Sequence, residues 1–529
     1  MINSRVLKVV LGLEVALAIA LVVLGLALRP PSAAAAPASA GSTAAVGKTT
    51  VARIEAYVRQ QSGADHTPGT AVGIVSGGKP VLLSGVGNAA ADTTFYLGSV
   101  SKSFTALAVM QLAAEGKVNL DAPVRTYLPS FQVGDGRESD LVTVRQLLDQ
   151  TSGISTKAGL TELTFAPSAT FAQAVKGFET FPLASRPGTH FQYSDANYTI
   201  AGDIVQQASG ETFDRYLQQH IFTPLGMTHT YALTGTVRKP GLTRGYASWL
   251  GLHVPLTDQV AAPLVPAGYI ASSAADMTHY LTAELNGGVY HGTRILPAAD
   301  LRETQAPLVS TDGQTPLPGA TSYGLGWGVG TVNGTRVVVH DGQLRDFDAA
   351  AAILPADKTA VVVLMNTNPE LVVNDDRLYN GIMQGITTGT FPGVSHTFTI
   401  FYAVFDAIAA ATLILMIFSL ARTGRWRRKF QARAARTGFW PAAVRAVGLD
   451  LVIAAAVAAA VTFGVGALVG YVPLTPTLLV FAAPDIAVWI YAVVVFFAVR
   501  AVVRAVTIGA GRRTPQPAAP QSAEPVVSS

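Results

Sequence analysis

Phe95-Tyr-Leu-Gly-Ser-Val-Ser-Lys-Ser-Phe-Thr-Ala-Leu107 sets a serine and a lysine three residues apart where an apolar-periodic run begins. Phe104, Leu107, Ala108 and Leu112 recur at helical spacing and Gly116 supplies a stop, so the pattern predicts a helix from Ser99 to Glu115. On that helix Ser99 and Lys102 share a face, one turn apart. The helix N-terminus favours negative charge developing near Ser99. Acyl transfer through serine needs a nucleophile, a group to take its proton, and donors for the oxyanion. This segment offers the first two. Spacing alone does not decide the matter, because Ser76-Gly77-Gly78-Lys79 repeats it between the short apolar runs Ala71–Val75 and Pro80–Ser84, which read as a hairpin. A helix cap followed by a solvated lysine is the bland reading of such a motif.

Working outward, helical segments are expected at 143–149, 196–219 and 274–286, and strands at Thr335–His340, Ala349–Leu354 and Thr359–Met365. Early and late strands then form one antiparallel sheet flanked by helices, with a helical region inserted between them, an α+β arrangement. No internal repeat is evident.

The segment from Phe95 onward, continuing to Glu115-Gly-Lys-Val-Asn-Leu-Asp-Ala-Pro-Val124, resembles the β-lactamase-related serine hydrolases. This group spans class C β-lactamases, D-alanyl-D-alanine carboxypeptidases, D-aminopeptidases and several esterases. Further blocks match in order: Thr143–Ile154 (TVRQLLDQTSGI), Arg186–Tyr198 (RPGTHFQYSDANY), Pro224–Met227 (PLGM) and Tyr323–Trp327 (YGLGW), then His340-Asp341-Gly342. The resemblance covers residues 51–385 and none of the C-terminal segments. It implies a β-lactamase/transpeptidase-like fold and no cofactor. It also implies Ser99 as the acylated nucleophile, Lys102 as its base or proton relay, and Tyr193 as the proton shuttle to the leaving group. His340 takes the first position of the Lys-Thr-Gly element, which several members replace with His-x-Gly. The backbone N–H groups of Ser99 and Gln343, the latter just beyond Gly342, would form the oxyanion hole. Taken singly, Tyr193 reads as a half-buried aromatic and His340 as a strand-end histidine; their order around Ser99 favours the catalytic reading.

Two positions depart from the family. Asp195 stands where Asn is usual, and would ion-pair with Lys102 and hold it protonated, shifting more of the base role to Tyr193. Asp341 replaces the Thr that helps family peptidases bind a terminal carboxylate, and Asp346 and Asp348 add acid nearby. Neutral esters, amides or substrates with a free amine are therefore expected over β-lactams and D-Ala-D-Ala termini. Lys358-Thr359-Ala360 lacks the glycine of a true Lys-Thr-Gly, and Tyr323, Gly324 and Trp327 read as packing residues. No Gly-x-Ser-x-Gly elbow, His-Glu-x-x-His metal motif or phosphate-binding loop occurs, and the chain has no cysteine.

Charge and hydropathy divide the chain. The formal charge is +4, but residues 400–529 hold 12 Lys/Arg against 4 Asp/Glu, beside apolar runs rather than on a globular face. That placement excludes nucleic acid as the partner. Residues 1–29 read as a signal peptide or an uncleaved anchor, with small-residue cleavage sites near Ala36 or Ala40, followed by an Ala/Ser/Pro linker over 30–50. Three apolar segments at 398–421, 446–471 and 477–499 are each long enough to cross a bilayer, giving three transmembrane helices over 398–499. The Arg-rich loop 422–436 and the tail 500–529 then face the cytoplasm, and the 51–385 domain lies outside a bacterial plasma membrane. Asp406, Asp450 and Asp485 fall in or beside the spans without forming a pathway, so transport is set aside. The expected partners are a small-molecule or peptide substrate and the lipid bilayer, and the sequence names no protein partner. The competing reading is a non-catalytic sensor or binding protein using the same cleft.

Overall fold

The computed structural model describes residues 46–134, 136–232, 241–257, 259–314, 317–368, 377–459, 480 and 483–511. The 1–29 segment, most of the 30–50 linker, the span beyond 459 and the tail beyond 511 lie outside the described residues. The chain divides into two units, one running through Phe405 and one beginning at Asp406.

In the first unit, α1 (Lys48–Ala64) leads into β1 (Gly69–Ser76) and β2 (Lys79–Gly87). Gly77 and Gly78 both take positive φ, 60° and 77°, and close the tight two-residue turn that such strands require. Ser76 faces Lys79 across that turn, so the second Ser-x-x-Lys is a hairpin and not a helical pair. The chain returns to this sheet only after the helical region, which includes α2 (Ser101–Ala114), α3 (Asp195–Ser209) and α4 (Ala274–Leu285). The late strands are β3 (Val309–Ser310), β4 (Ala320–Tyr323), β5 (Gly328–Val332), β6 (Thr335–Gln343), β7 (Asp348–Leu354) and β8 (Thr359–Met365). The sheet order is β3-β4-β5-β6-β7-β8-β1-β2, antiparallel throughout.

Every residue of β1, β7 and β8 is buried, because helices cover both faces. Ala71, Val75, Val362 and Leu364 face the cluster containing Met277 and Leu281 of α4. Val72, Ile74, Val361 and Val363 face Ile54 and Val58 of α1 and Ile382 and Met383 of α5 (Arg377–Thr388). Continuous apolar runs such as Thr-Ala-Val-Val-Val-Leu-Met follow from that double burial, each Val, Leu and Met side chain contributing roughly 1.5–3 kcal/mol. At Gly73 a Cβ would sit 2.8 Å from Thr278 Cγ2, so α4 packs on β1 at a distance only glycine permits.

The expected α+β fold and inserted helical region are observed. The expected 196–219 helix stops at Ser209, because Gly210 takes φ 74° and caps it. The expected 335–340 strand continues to Gln343, which brings Asp341, Gly342 and Gln343 into the sheet.

In the second unit, α6 (Thr397–Ala421, which begins in the first unit), α8 (Phe439–Ala459) and α9 (Pro484–Gly511) are long and apolar enough to cross a membrane. The 422–436 segment is not a loop but mostly helix, α7 (Thr423–Thr437), as its Arg, Lys, Gln and Ala content favours. Asp450 of α8, fully buried, takes Arg500 Nη2 at 2.6 Å and Arg504 Nη1 at 2.7 Å from α9, and Arg500 Nη1 also reaches Ser419 Oγ of α6 at 2.9 Å. Asp450 is thus a clamp between helices.

Two buried carboxyls contribute to the pH dependence of stability. Burial pushes Glu284 of α4 up to about 7, against its bond from Gln305, and pushes Asp149 up to about 6, against its bonds from Thr151. Both values are raised on folding, so the stability they confer is complete below the ordinary carboxyl range and lost as pH rises through 6 to 7. The melting temperature of the full chain is expected to fall over that window. Glu284→Gln should flatten the fall by the equivalent of up to about 3 kcal/mol, as read by thermal melts at stepped pH.

Candidate active site

Ser99 lies in the 3-10 turn Gly98–Val100 that runs into α2, and Lys102 follows in its first turn. Lys102 is fully buried, an expensive place for a cation without partners. Its Nζ meets three acceptors: Ser99 Oγ at 2.8 Å, the Ala267 carbonyl at 2.8 Å, and Asp195 Oδ1 at 2.6 Å. The Asp195 contact is held by charge rather than by hydrogen-bond alignment. Two hydrogen-bond acceptors and a carboxylate together suit an ammonium.

Asp195 is the first residue of α3, where a carboxylate is favoured by the helix N-terminus. Tyr193, two residues earlier, puts its ring 4.9 Å from Lys102 Nζ and its hydroxyl toward Ser99. Burial raises the proton affinity of that phenol well above its ordinary value; Asp195 and Asp341 push the same way and the Ser99 hydroxyl pulls it back. The expected transfer of the base role to Tyr193 runs against this electrostatics, because the carboxylate that pairs with Lys102 also keeps Tyr193 a phenol.

His340 is fully buried on β6. Its Nδ1 lies 2.6 Å from the Asp341 carbonyl, which can only accept, so Nδ1 carries the proton and Nε2 accepts from Tyr323 Oη at 3.0 Å. Burial, with the Lys102 charge, lowers His340 to about 3. The ring is therefore neutral across working pH, and the Asp341 carboxylate 3.8 Å from Nδ1 is not an ion-pair partner. Tyr323, expected to serve packing, has a polar role as well: it fixes the His340 ring.

The two backbone amides expected to form the oxyanion hole meet across a glycine pair. Gly98 has φ 50°, and a Cβ there would sit 2.6 Å from Gln343 N; a Cβ on Gly342 would overlap Leu97 O and sit 3.0 Å from Ser99 N. The end of β6 therefore lies directly on the 97–99 backbone, bringing Ser99 N and Gln343 N into one region. Asp341, buried beside them, occupies the same strand end.

Residues 54–382 match the family model described as Beta-lactamase. The chain belongs to the β-lactamase family. Among relatives, protein flp of Staphylococcus aureus (strain COL) is 28% identical over 330 residues, covering 60% of this chain and 64% of that protein. Penicillin-binding protein 4 of Amycolatopsis lactamdurans is 30% identical over 315 residues, covering 57% of this chain and 81% of that one. The fold is similar to a D-stereospecific amidohydrolase from Streptomyces sp., with TM-score 0.55 and 24% identity, covering 64% of this chain and 99% of that one. The match places the chain in a family of hydrolases, with the sheet and inserted helices described above.

Sequence reading missed Gln150. It is buried at φ 64°, its Oε1 accepts from Ser194 N at 3.0 Å and Asn197 Nδ2 at 2.6 Å, and its carbonyl accepts from Gln192 N at 2.7 Å. One residue thus holds both sides of the Tyr193-Ser194-Asp195 turn. Its place in the 143–154 block was the available signal, but residue type gave none. The Ala267 carbonyl was also missed, since a backbone acceptor has no sequence signature. Gln150→Ala strands the Ser194 and Asn197 donors and should lower stability by about 1–3 kcal/mol, measured as a reduced denaturation midpoint.

Proposed function

We propose that this chain is a membrane-anchored serine hydrolase that cleaves an ester or amide through an acyl-enzyme on Ser99. The observation that carries the reading is Lys102 Nζ at 2.8 Å from Ser99 Oγ, buried and oriented by Ala267 and Asp195. Attack by Ser99 requires its proton to pass to the Lys102 amine while Oγ bonds to the substrate carbonyl carbon. Asp195 and Ala267 then stabilise the ammonium so formed, although Asp195 favours the ammonium beforehand too. Charge developing on the carbonyl oxygen falls to Ser99 N and Gln343 N. Tyr193, kept a phenol, protonates the leaving oxygen or nitrogen and recovers its proton from Lys102. Water reverses these steps to release the acid. His340 acts by position, holding Tyr323 and the β6 end.

Asp341 at that strand end disfavours a substrate carboxylate, so neutral or amine-bearing ester and amide substrates are favoured. The D-stereospecific amidohydrolase of similar fold makes amides the first class to screen. The three apolar helices support anchoring. The arginines of α7, with Arg500 and Arg504 near the end of α9, support a cytoplasmic side there and an extracytoplasmic hydrolase domain in a bacterial plasma membrane. The Lys102–Asp195 pair and the raised Tyr193 also favour a second reading, a binding or sensor protein that uses the same cleft without turnover.

Full-length protein in detergent, treated with a fluorophosphonate and weighed intact, should gain a single adduct that Ser99→Ala abolishes. A folded wild type that takes no adduct overturns the hydrolase reading and leaves the sensor. Benzylpenicillin hydrolysis should be slower than hydrolysis of neutral amino-acid amides. Efficient penicillin turnover would refute the role given to Asp341.

A further inference from the structure

Thr199 lies one helical turn beyond Asp195 on α3. Its hydroxyl sits between two oxygens, the Pro263 carbonyl at 2.7 Å and Glu162 Oε1 at 2.5 Å. A hydroxyl carries one proton, and a carbonyl only accepts. If that proton serves Pro263, the contact with Glu162 requires a proton from Glu162. If it serves Glu162, two bare acceptors face each other at the carbonyl. The arrangement is satisfied at both ends only by a carboxylic acid: Glu162 O–H to Thr199 Oγ1, and Thr199 O–H to Pro263 O. Glu162 belongs to the 3-10 turn Leu160–Thr164 and is only 4% exposed.

We propose that Glu162 is held as a neutral carboxylic acid whose proton sets the charge balance around Lys102. The charged groups acting on it are Asp195 of α3 and Lys102 of α2, while its own turn carries no other charge. Burial first, then Asp195, raises its proton affinity, against Thr199 and Lys102. Asp195 is half-exposed and Glu162 is buried, so the anion of the two settles on Asp195. With Glu162 neutral, Lys102 faces one carboxylate. Loss of the Glu162 proton adds a second negative charge to the same buried site. That charge stabilises the ammonium relative to the amine that must accept the Ser99 proton. The same hydrogen-bond chain ties the 160–164 turn to the 262–268 segment that carries the Ala267 acceptor. Glu162 is a positioning residue, acting on Ser99 through Lys102.

The kinetic half of this inference rests on acyl transfer at Ser99, and the protonation half does not. The test uses full-length wild type, Glu162→Gln and Thr199→Val in detergent, with two readouts. Infrared difference spectra against Glu162→Gln should show a protonated carboxyl band at neutral pH that fades as pH rises. The fluorophosphonate acylation rate should rise with pH, and Glu162→Gln, which cannot gain the second negative charge, should complete that rise at lower pH than the wild type. Thr199→Val keeps the carboxyl but removes its acceptor, so it should shift the band; it serves if Glu162→Gln does not fold. No protonated band at neutral pH, or an acylation pH profile in Glu162→Gln that matches the wild type, overturns the proposal. A wild type that is never acylated but shows the band sinks only the reading of Ser99.

Discussion

A buried ammonium needs acceptors, and the candidate site is built around that requirement. Lys102 has no exposed surface, and its charge is met by a hydroxyl from its own helix turn, a carbonyl from the 265–268 turn and a carboxylate from α3. Each of the three comes from a different part of the chain, so Lys102 sets where the 265–268 turn and α3 stand relative to α2. Gly326, where a Cβ would sit 2.9 Å from the Lys102 carbonyl, lets the YGLGW segment pack on the same turn. The Phe95–Leu107, Arg186–Tyr198 and Tyr323–Trp327 blocks meet at this one cation.

The second constraint is steric. Gly98 and Gly342 let the end of β6 lie on the 97–99 backbone, and side chains at either position would force them apart. This contact joins the sheet to α2 and sets two backbone amides near Ser99. Glycines 244 residues apart in the chain serve one close approach, which explains why each is needed where its own neighbourhood gives no reason.

Electrostatics within the pocket is divided by burial. Asp195, half-exposed at a helix N-terminus, carries the negative charge, while Tyr193, Tyr323 and Glu162 are driven toward their neutral forms. His340 is neutral for the same reason with opposite sign, since burial and the Lys102 charge disfavour a second cation. The pocket therefore holds the Lys102–Asp195 ion pair and the Asp341 carboxylate amid neutral donors and acceptors, with short hydrogen bonds along which protons can pass.

Much of this was legible in the sequence. Helical periodicity after Ser99 placed the serine and lysine on one face, Gly-Gly between apolar runs marked the hairpin, and the ordered blocks pointed to the family. Those signals are local, each carried by residues within a few positions of one another. The short strands Ala320–Tyr323 and Gly328–Val332 were not legible, because they are Gly-rich and take their form from pairing along the sheet. Nor were Gln150 and Glu162, polar residues whose roles arise from what the fold packs against them. The sequence by itself determined the apolar helices and the serine–lysine pair, since periodicity and spacing follow from covalent geometry. Only the tertiary structure decided the protonation pattern, because burial and the distance between charges exist only once distant segments meet.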